Sequence, residues 1–324
     1  MMEQALRDFP KQFEFEPVVE NAGELELREK FVIAGMGGSC LAPDLLQAWR
    51  PELDIIAHRD YGLPATNLTD RLIIASSYSG NTEETIDAFQ AALDRRLSAA
   101  AIGVGGTLLK LAGASSAPFI RIPDTGIQPR SALGFNLVAL MALVGDDAGM
   151  AELRELRHAL DVRYCADHGA ALATVLRGKV PLIYASGRNR GVAYNWKIKF
   201  NETGKIPAFM NVFPELNHNE MTGFDRIPTT APLSDQFHCI FLTDSEDDPR
   251  VQRRMKVTRG LYVQRGLPVE VVPLEGASAW QRIFTSLLIA DWTALRLAEA
   301  YGAEPEQVPM VEEFKKLISE SVNQ

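Results

Sequence analysis

A carboxylate and an imidazole share the stretch 197–225, KIKFNETGKIPAFMNVFPELNHNEMTGFD, where Glu202 and His218 stand among aromatic and weakly charged neighbours. Such a pair offers a proton acceptor and a proton donor for general acid–base work. The pattern predicts a helix over 191–201 ending just before Glu202. Around His218 it predicts a Pro-, Asn- and Glu-bearing segment too polar for a plain core strand. By residue type alone, a solvated helix-end carboxylate and a hydrogen-bonded structural histidine stay open as the simpler readings.

Two other stretches put small polar residues where strands turn into helices. FVIAGMGGSCLAPDLLQAW sets Gly35, Gly37, Gly38 and Ser39 at such a turn, where backbone amides can approach an anion. LIIASSYSGNTEETIDAF sets Ser77, Ser79, Asn81 and Thr82 at another, forming a cup of short side chains over a helix N-terminus that suits a phosphate monoester. Each has an ordinary alternative: glycines make tight turns, and Asn81 with Glu84 reads as a capping box. Capping accounts for Asn81 and leaves Ser77 and Ser79 unexplained. Two such loops at the carboxyl ends of parallel strands can converge on one ligand at a switch point of the sheet.

No P-loop lysine follows either loop, so nucleoside triphosphate hydrolysis finds no support. Cys40 stands where a dinucleotide fingerprint wants glycine, which disfavours hydride transfer. Arg130, in GIQPRSALG, follows a proline and precedes a helix. A guanidinium there keeps its charge at every relevant pH and can stabilise a developing oxyanion.

The elements that must carry these loops alternate. Strand-like runs at 31–34, 55–57, 72–76, 99–104 and 119–122 are separated by helical stretches at 41–49 and 82–93, and a helix at 133–144 closes the first half. Gly145 to Met150 reads as a linker into a helix at 152–161. A second cycle then follows, with strands at 180–185, 239–242 and 269–272 and helices at 192–200, 249–264, 280–301 and 311–321. Alternation of this kind predicts an α/β fold of two similar halves, 1–150 and 151–324, each a parallel sheet flanked by helices.

The 324 residues, 46% hydrophobic, suffice for a large core. A formal charge of -9 argues against nucleic-acid or anionic-membrane partners, while an anionic small substrate held by a few local donors stays allowed. Cys40, Cys165 and Cys239 show no paired spacing, and the first 24 residues have no apolar signal core, so a soluble cytoplasmic protein is expected. The dispersed His58, His158, His168 and His238 do not assemble a metal-ligand pattern.

The landmarks GMGGS at 35–39, SYSGNT at 77–82, QPR at 128–130, NE at 201–202 and ELNHNE at 215–220, in this order over nearly the whole chain, resemble the bifunctional phosphoglucose/phosphomannose isomerases. That family is built from two sugar-isomerase (SIS) domains, each a flavodoxin-like three-layer sandwich. The resemblance implies reversible conversion of glucose 6-phosphate or mannose 6-phosphate to fructose 6-phosphate, without cofactor or metal. It also implies that Gly38, Ser39, Ser77, Ser79 and Thr82 hold the phosphate. Glu202 would move a proton between C1 and C2 through a cis-enediolate stabilised by Arg130.

By the same resemblance His218 assists ring opening from the partner subunit of a homodimer with shared sites. Lys315, next to Lys316, matches the family's C-terminal lysine, and Thr293 matches a small residue that leaves room for both C2 epimers. Cys40, Lys199 and Gly204 depart from the family pattern. Another SIS-fold enzyme acting on an amino-sugar or heptose phosphate would keep the phosphate loops without Glu202, His218 and Arg130 together. A non-catalytic sugar-phosphate sensor would carry a DNA-binding module.

Overall fold

The computed structural model describes residues 1–321. Ten strands fall into two sheets: β1 Val19–Glu20, β2 Lys30–Ala34, β3 Asp54–His58, β4 Arg71–Ser76, β5 Ala99–Gly103 and β6 Phe119–Arg121 in the first, and β7 Val180–Ser186, β8 Phe209–Phe213, β9 Phe237–Thr243 and β10 Val269–Pro273 in the second. The first sheet runs β3-β2-β4-β5-β6-β1 and the second β8-β7-β9-β10. Without the edge strand β1, both follow one winding rule. The chain starts in the interior, steps outward to one side, then returns to build on the other.

The expected α/β class, with parallel sheets flanked by helices, therefore appears, and the first sheet needs a correction. The first sheet is not wholly parallel, because β1 pairs antiparallel with β6 through Val19 and Ile120. Two residues with no apolar alternation give no strand signal, so β1 was not legible. The edge strand β8 was missed too, since its FMNVF is only half buried except for Phe213.

The buried strands read as apolar runs because helices cover both sheet faces. Successive side chains still divide between two layers. Phe31 and Ile33 of β2 enter a central core, while Val32 enters an outer one with Ile73, Phe89 and Leu108. In the second sheet Ile183 and Ala185 face the central core, while Leu182 and Tyr184 face a separate outer cluster with Phe241 and Tyr262. The central core is common to both halves. Trp49 of the first stacks on Trp280 of the second at 4.7 Å between ring centroids, and Phe13 meets Phe284 at 5.0 Å. Burial of each such side chain contributes about 1.5–3 kcal/mol, so the halves stabilise one another.

The expected linker at 145–150 is corrected by this packing. Gly145, at φ 75°, ends helix Leu133–Val144, and Asp146 caps a new helix, Asp147–Arg154, by accepting from Gly149 N at 2.8 Å. Asp146 also pairs with Arg50. A Cβ on Gly149 would lie 2.3 Å from the Trp49 ring, so this segment is pressed against the core. The helix expected at 152–161 is broken near Glu155, and Asp161 instead caps helix Val162–Leu176, whose Gly169 lies against Thr293 and Trp292.

Candidate active site

The switch point of the first sheet lies between β2 and β4, and the two glycine- and serine-bearing loops leave these neighbouring strands side by side. Ser39 Oγ accepts from Tyr78 N at 2.8 Å, tying one loop to the other and leaving the Ser39 hydroxyl proton to be donated. Ser77 Oγ lies 2.8 Å from Thr82 Oγ1 and accepts from Gly80 N at 3.1 Å. Thr82 is the N-cap of helix Glu83–Asp94, yet no side chain caps that helix. Its first-turn amides and the nearby hydroxyls make a donor-rich cup for an anion. The capping box considered for Asn81 does not form: Asn81 Oδ1 accepts from Thr107 N at 3.0 Å. Ser79 is exposed at the rim, where its Oγ accepts from Asn81 N at 3.2 Å.

Gly38 connects this cup to Arg130. A Cβ there would lie 2.8 Å from Arg130 N and 2.9 Å from Pro129 C, so only glycine lets the two turns meet this closely. Arg130 is 3% exposed. Its Nε donates to Thr203 Oγ1 at 3.0 Å, its Nη2 to the carbonyls of Pro305 and Glu306 at 2.7 and 3.0 Å, and its Nη1 to Glu202 Oε2 at 3.3 Å. Burial holds the guanidinium below its ordinary pKa, opposed chiefly by the charge of Glu202 and then of Asp291.

Glu202 is the last residue of helix Arg190–Glu202, whose buried face includes Trp196 and Phe200. Beyond it, Thr203 N and Gly204 N both bond to Lys199 O, at 3.0 and 3.1 Å. Gly204 is needed because a Cβ would sit 2.8 Å from Phe200 O, which accounts for the glycine after Glu202. Lys205 then donates to Glu202 O at 2.6 Å and to Gln307 O. The lysine is held below its ordinary pKa, first by burial and then by Arg130. Lys199, on the same helix, pairs with Asp291 at 2.6 Å, both nearly buried.

The other expected residues have different partners. His218 ends the short turn Glu215–His218 after β8 and is exposed, while its neighbours are anchored. Leu216 is fully buried, Asn217 Nδ2 donates to Thr258 Oγ1 at 2.8 Å, and Glu220 binds Tyr184. Lys315, on helix Pro309–Ser321, is exposed and pairs with Glu312 at 2.9 Å. Within the chain no hydrogen bond or ion pair joins His218 or Lys315 to Glu202 or Arg130 among the described residues. Thr293 is wholly buried, and its hydroxyl donates to Ile289 O at 2.7 Å. The small side chain that the family resemblance links to room for both C2 epimers is thus packed inside the fold.

Residues 166–318 match the family model for the bacterial phospho-glucose isomerase C-terminal SIS domain. A bifunctional phosphoglucose/phosphomannose isomerase of Caldicellulosiruptor bescii is 35% identical over 310 residues, covering 90% of each chain. The chain belongs to this family. Another bifunctional phosphoglucose/phosphomannose isomerase, from Aquifex aeolicus, is 30% identical over 314 residues, covering 95% of each chain. The crystal structure of a hypothetical protein from Thermus thermophilus shares the fold with a TM-score of 0.72 at 18% identity, covering 99% of this chain and 88% of that one.

In this member of the bifunctional isomerase family, the segment at 305–307 also belongs to the site. Its carbonyls hold both Arg130 and Lys205. Backbone acceptors carry no residue-type signal, so only the fold could bring them forward. Thr203 and Lys205, by contrast, adjoin Glu202 in NETGK, and their hydroxyl and ammonium are a local signal in the sequence. Cys40 is a packed residue beside the glycine turn. Burial pushes its thiol up to about 12, which keeps it protonated at neutral pH.

Proposed function

We infer that the protein is an aldose–ketose isomerase interconverting glucose 6-phosphate or mannose 6-phosphate with fructose 6-phosphate. Its family membership supports this, and the Arg130–Glu202 pair joined through Gly38 to an anion cup is the observation that carries it. Ser39, Ser77, Thr82 and the amides of the cup hold the phosphate, with Ser79 at the rim. Glu202 takes the proton from C2 of the open-chain aldose and returns it to C1 as the hydroxyl proton moves between the two oxygens. As Glu202 becomes neutral, negative charge grows on the enediolate oxygens. Arg130 then turns from neutralising the base to stabilising the intermediate, and the charge of the site is conserved.

His218 and Lys315 serve ring opening in a homodimer, with His218 reaching its partner's site. The exposure of His218 on an anchored turn supports this reading. So does the uncovered apolar face of helix Pro309–Ser321, where Met310, Phe314 and Leu317 are 81%, 60% and 58% exposed. No helix among the described residues is long and apolar enough to cross a membrane. Three buried free cysteines agree with placement in the reducing cytoplasm.

The test is a coupled assay of the purified protein on glucose 6-phosphate and mannose 6-phosphate, with and without chelator. Turnover of both that survives chelation is expected, and Glu202→Gln should abolish it while sparing sugar-phosphate binding. Mixed dimers of Glu202→Gln and His218→Ala subunits should regain part of the activity. Full activity of Glu202→Gln would remove the base from that residue, and silent mixed dimers would confine the histidine to its own chain.

A further inference from the structure

A second cationic cleft lies at the opposite end of the helix that carries Glu202. It encloses about 430 Å³ and is lined by Asp44, Gln47, Arg59, Arg188, Arg190 and Tyr194, among others. None of the phosphate-cup residues, Arg130 or Glu202 contributes to its wall. Arg190 and Glu202 are the first and last residues of helix Arg190–Glu202, and the rise of an α-helix separates their backbones by roughly 18 Å. The cleft is thus a separate place on the molecule.

Its charge is opposite to that of the chain. Three guanidinium groups face one carboxylate in a protein of formal charge -9. Arg59 is pinned by Asp44 at 2.6 Å and by Cys40 O at 2.9 Å, and lies over the Tyr194 ring at 5.5 Å. Arg188 spans the two halves, donating to Ala48 O at 3.3 Å and Glu246 O at 3.2 Å. Those carbonyls orient its guanidinium without neutralising it. Arg190 is exposed, and its charge acts on Asp44 across the cleft. Gly191 makes the cleft narrow, because a Cβ there would lie 2.6 Å from Asp44 O. Three guanidinium groups against one carboxylate in the lining of a concave site favour a ligand with paired acceptor oxygens and at least two negative charges.

We propose that this cleft binds a small phosphorylated metabolite, with Arg188 and Arg190 gripping the phosphate and Gln47 and Tyr194 facing the remainder of the molecule. The volume lies within the usual range of about 300–1,000 Å³ for small-ligand sites and exceeds what one phosphate group fills. The partial positive charge at the start of helix Arg190–Glu202 adds to the field of the arginines.

Calorimetric titration with inorganic pyrophosphate tests the proposal on the full chain. The wild type should show two binding events. Ser77→Ala/Thr82→Ala should lose the one at the cup and keep the other. Arg188→Ala/Arg190→Ala should weaken the second about tenfold or more, with isomerase kinetics and thermal midpoint retained. Asp44→Asn removes the opposing carboxylate and frees Arg59, so it should tighten the second event, a gain that misfolding cannot mimic. A wild-type isotherm that Arg188→Ala/Arg190→Ala leaves unchanged, a single event lost in Ser77→Ala/Thr82→Ala, or weaker binding in Asp44→Asn would overturn it.

Discussion

Arg130 Nη1 stands 3.3 Å from Glu202 Oε2, with the arginine side chain 3% exposed and the carboxylate 35% exposed. The asymmetry leaves the carboxylate open to a bound molecule and the cation fixed, which fits their proposed roles as base and oxyanion partner. Three of the guanidinium's contacts are to a hydroxyl and two carbonyls, which fix its plane without cancelling its charge.

Arg130→Lys keeps a positive charge and loses that fork. A lysine ammonium cannot reach Thr203, the two carbonyls and Glu202 at once, so the proposed electrostatic partner of the enediolate would be misplaced. Steady-state kinetics should show kcat reduced about 10²–10³-fold, with KM changed far less. An unchanged kcat would show that the fork has no part in the chemistry.

Gly38→Ala tests the joint between the donor-rich cup and the arginine. Its Cβ would meet backbone atoms of Pro129 and Arg130, which cannot rotate out of the way. The cost in stability should be about 1–3 kcal/mol by denaturant titration. A fall in kcat larger than the lost folded fraction is expected, since the displaced residue is Arg130 itself.

The Lys199–Asp291 pair lies beneath the site, nearly buried on both sides. Burial holds Asp291 above its ordinary pKa against the opposing influence of Lys199. Lys199→Met strands that carboxylate and should destabilise the protein by about 3–5 kcal/mol. Adding Asp291→Leu should recover most of the loss, as a double-mutant cycle by chemical denaturation would show.

At the corresponding switch point of the second sheet, between β7 and β9, the protein supplies its own anion. Asp247 Oδ1 accepts from Ser186 at 2.6 Å and from Asn189 at 3.2 Å, while its buried Oδ2 has no partner. Burial, assisted by Asp244, raises the Asp247 pKa above its ordinary 3.8. The folded state thus holds this proton more tightly than the unfolded state. Stability contributed by the protonated form is complete below the unfolded value and is lost as pH rises through the higher folded value. Asp247→Asn should remove this decline and stabilise the protein by about 1 kcal/mol at neutral pH. Thermal midpoints measured from pH 4 to pH 8 check both the gain and the flatter profile.

The two halves were legible because their strands are apolar runs set between helical periods, as with FVIA of β2 and LIIAS of β4. The cup was legible because hydroxyls and glycines at strand ends are a local pattern, and Glu202 and Arg130 could be named from the motifs around them. Sequence order does not specify that β4 lies beside β2, which is what joins Ser39 to Tyr78. Nor does it bring Pro305 and Glu306 onto Arg130 across 175 positions. Nor does it show that Thr293 is packed inside once helix Ala279–Ala300 lies against helix Val162–Leu176. The sequence by itself determined the elements and the chemical types of the cup and of the Glu202–Arg130 pair, because these depend on local spacing and side-chain chemistry. Only the tertiary structure decided which of them meet, because packing of a core shared by both halves sets the neighbours of each loop.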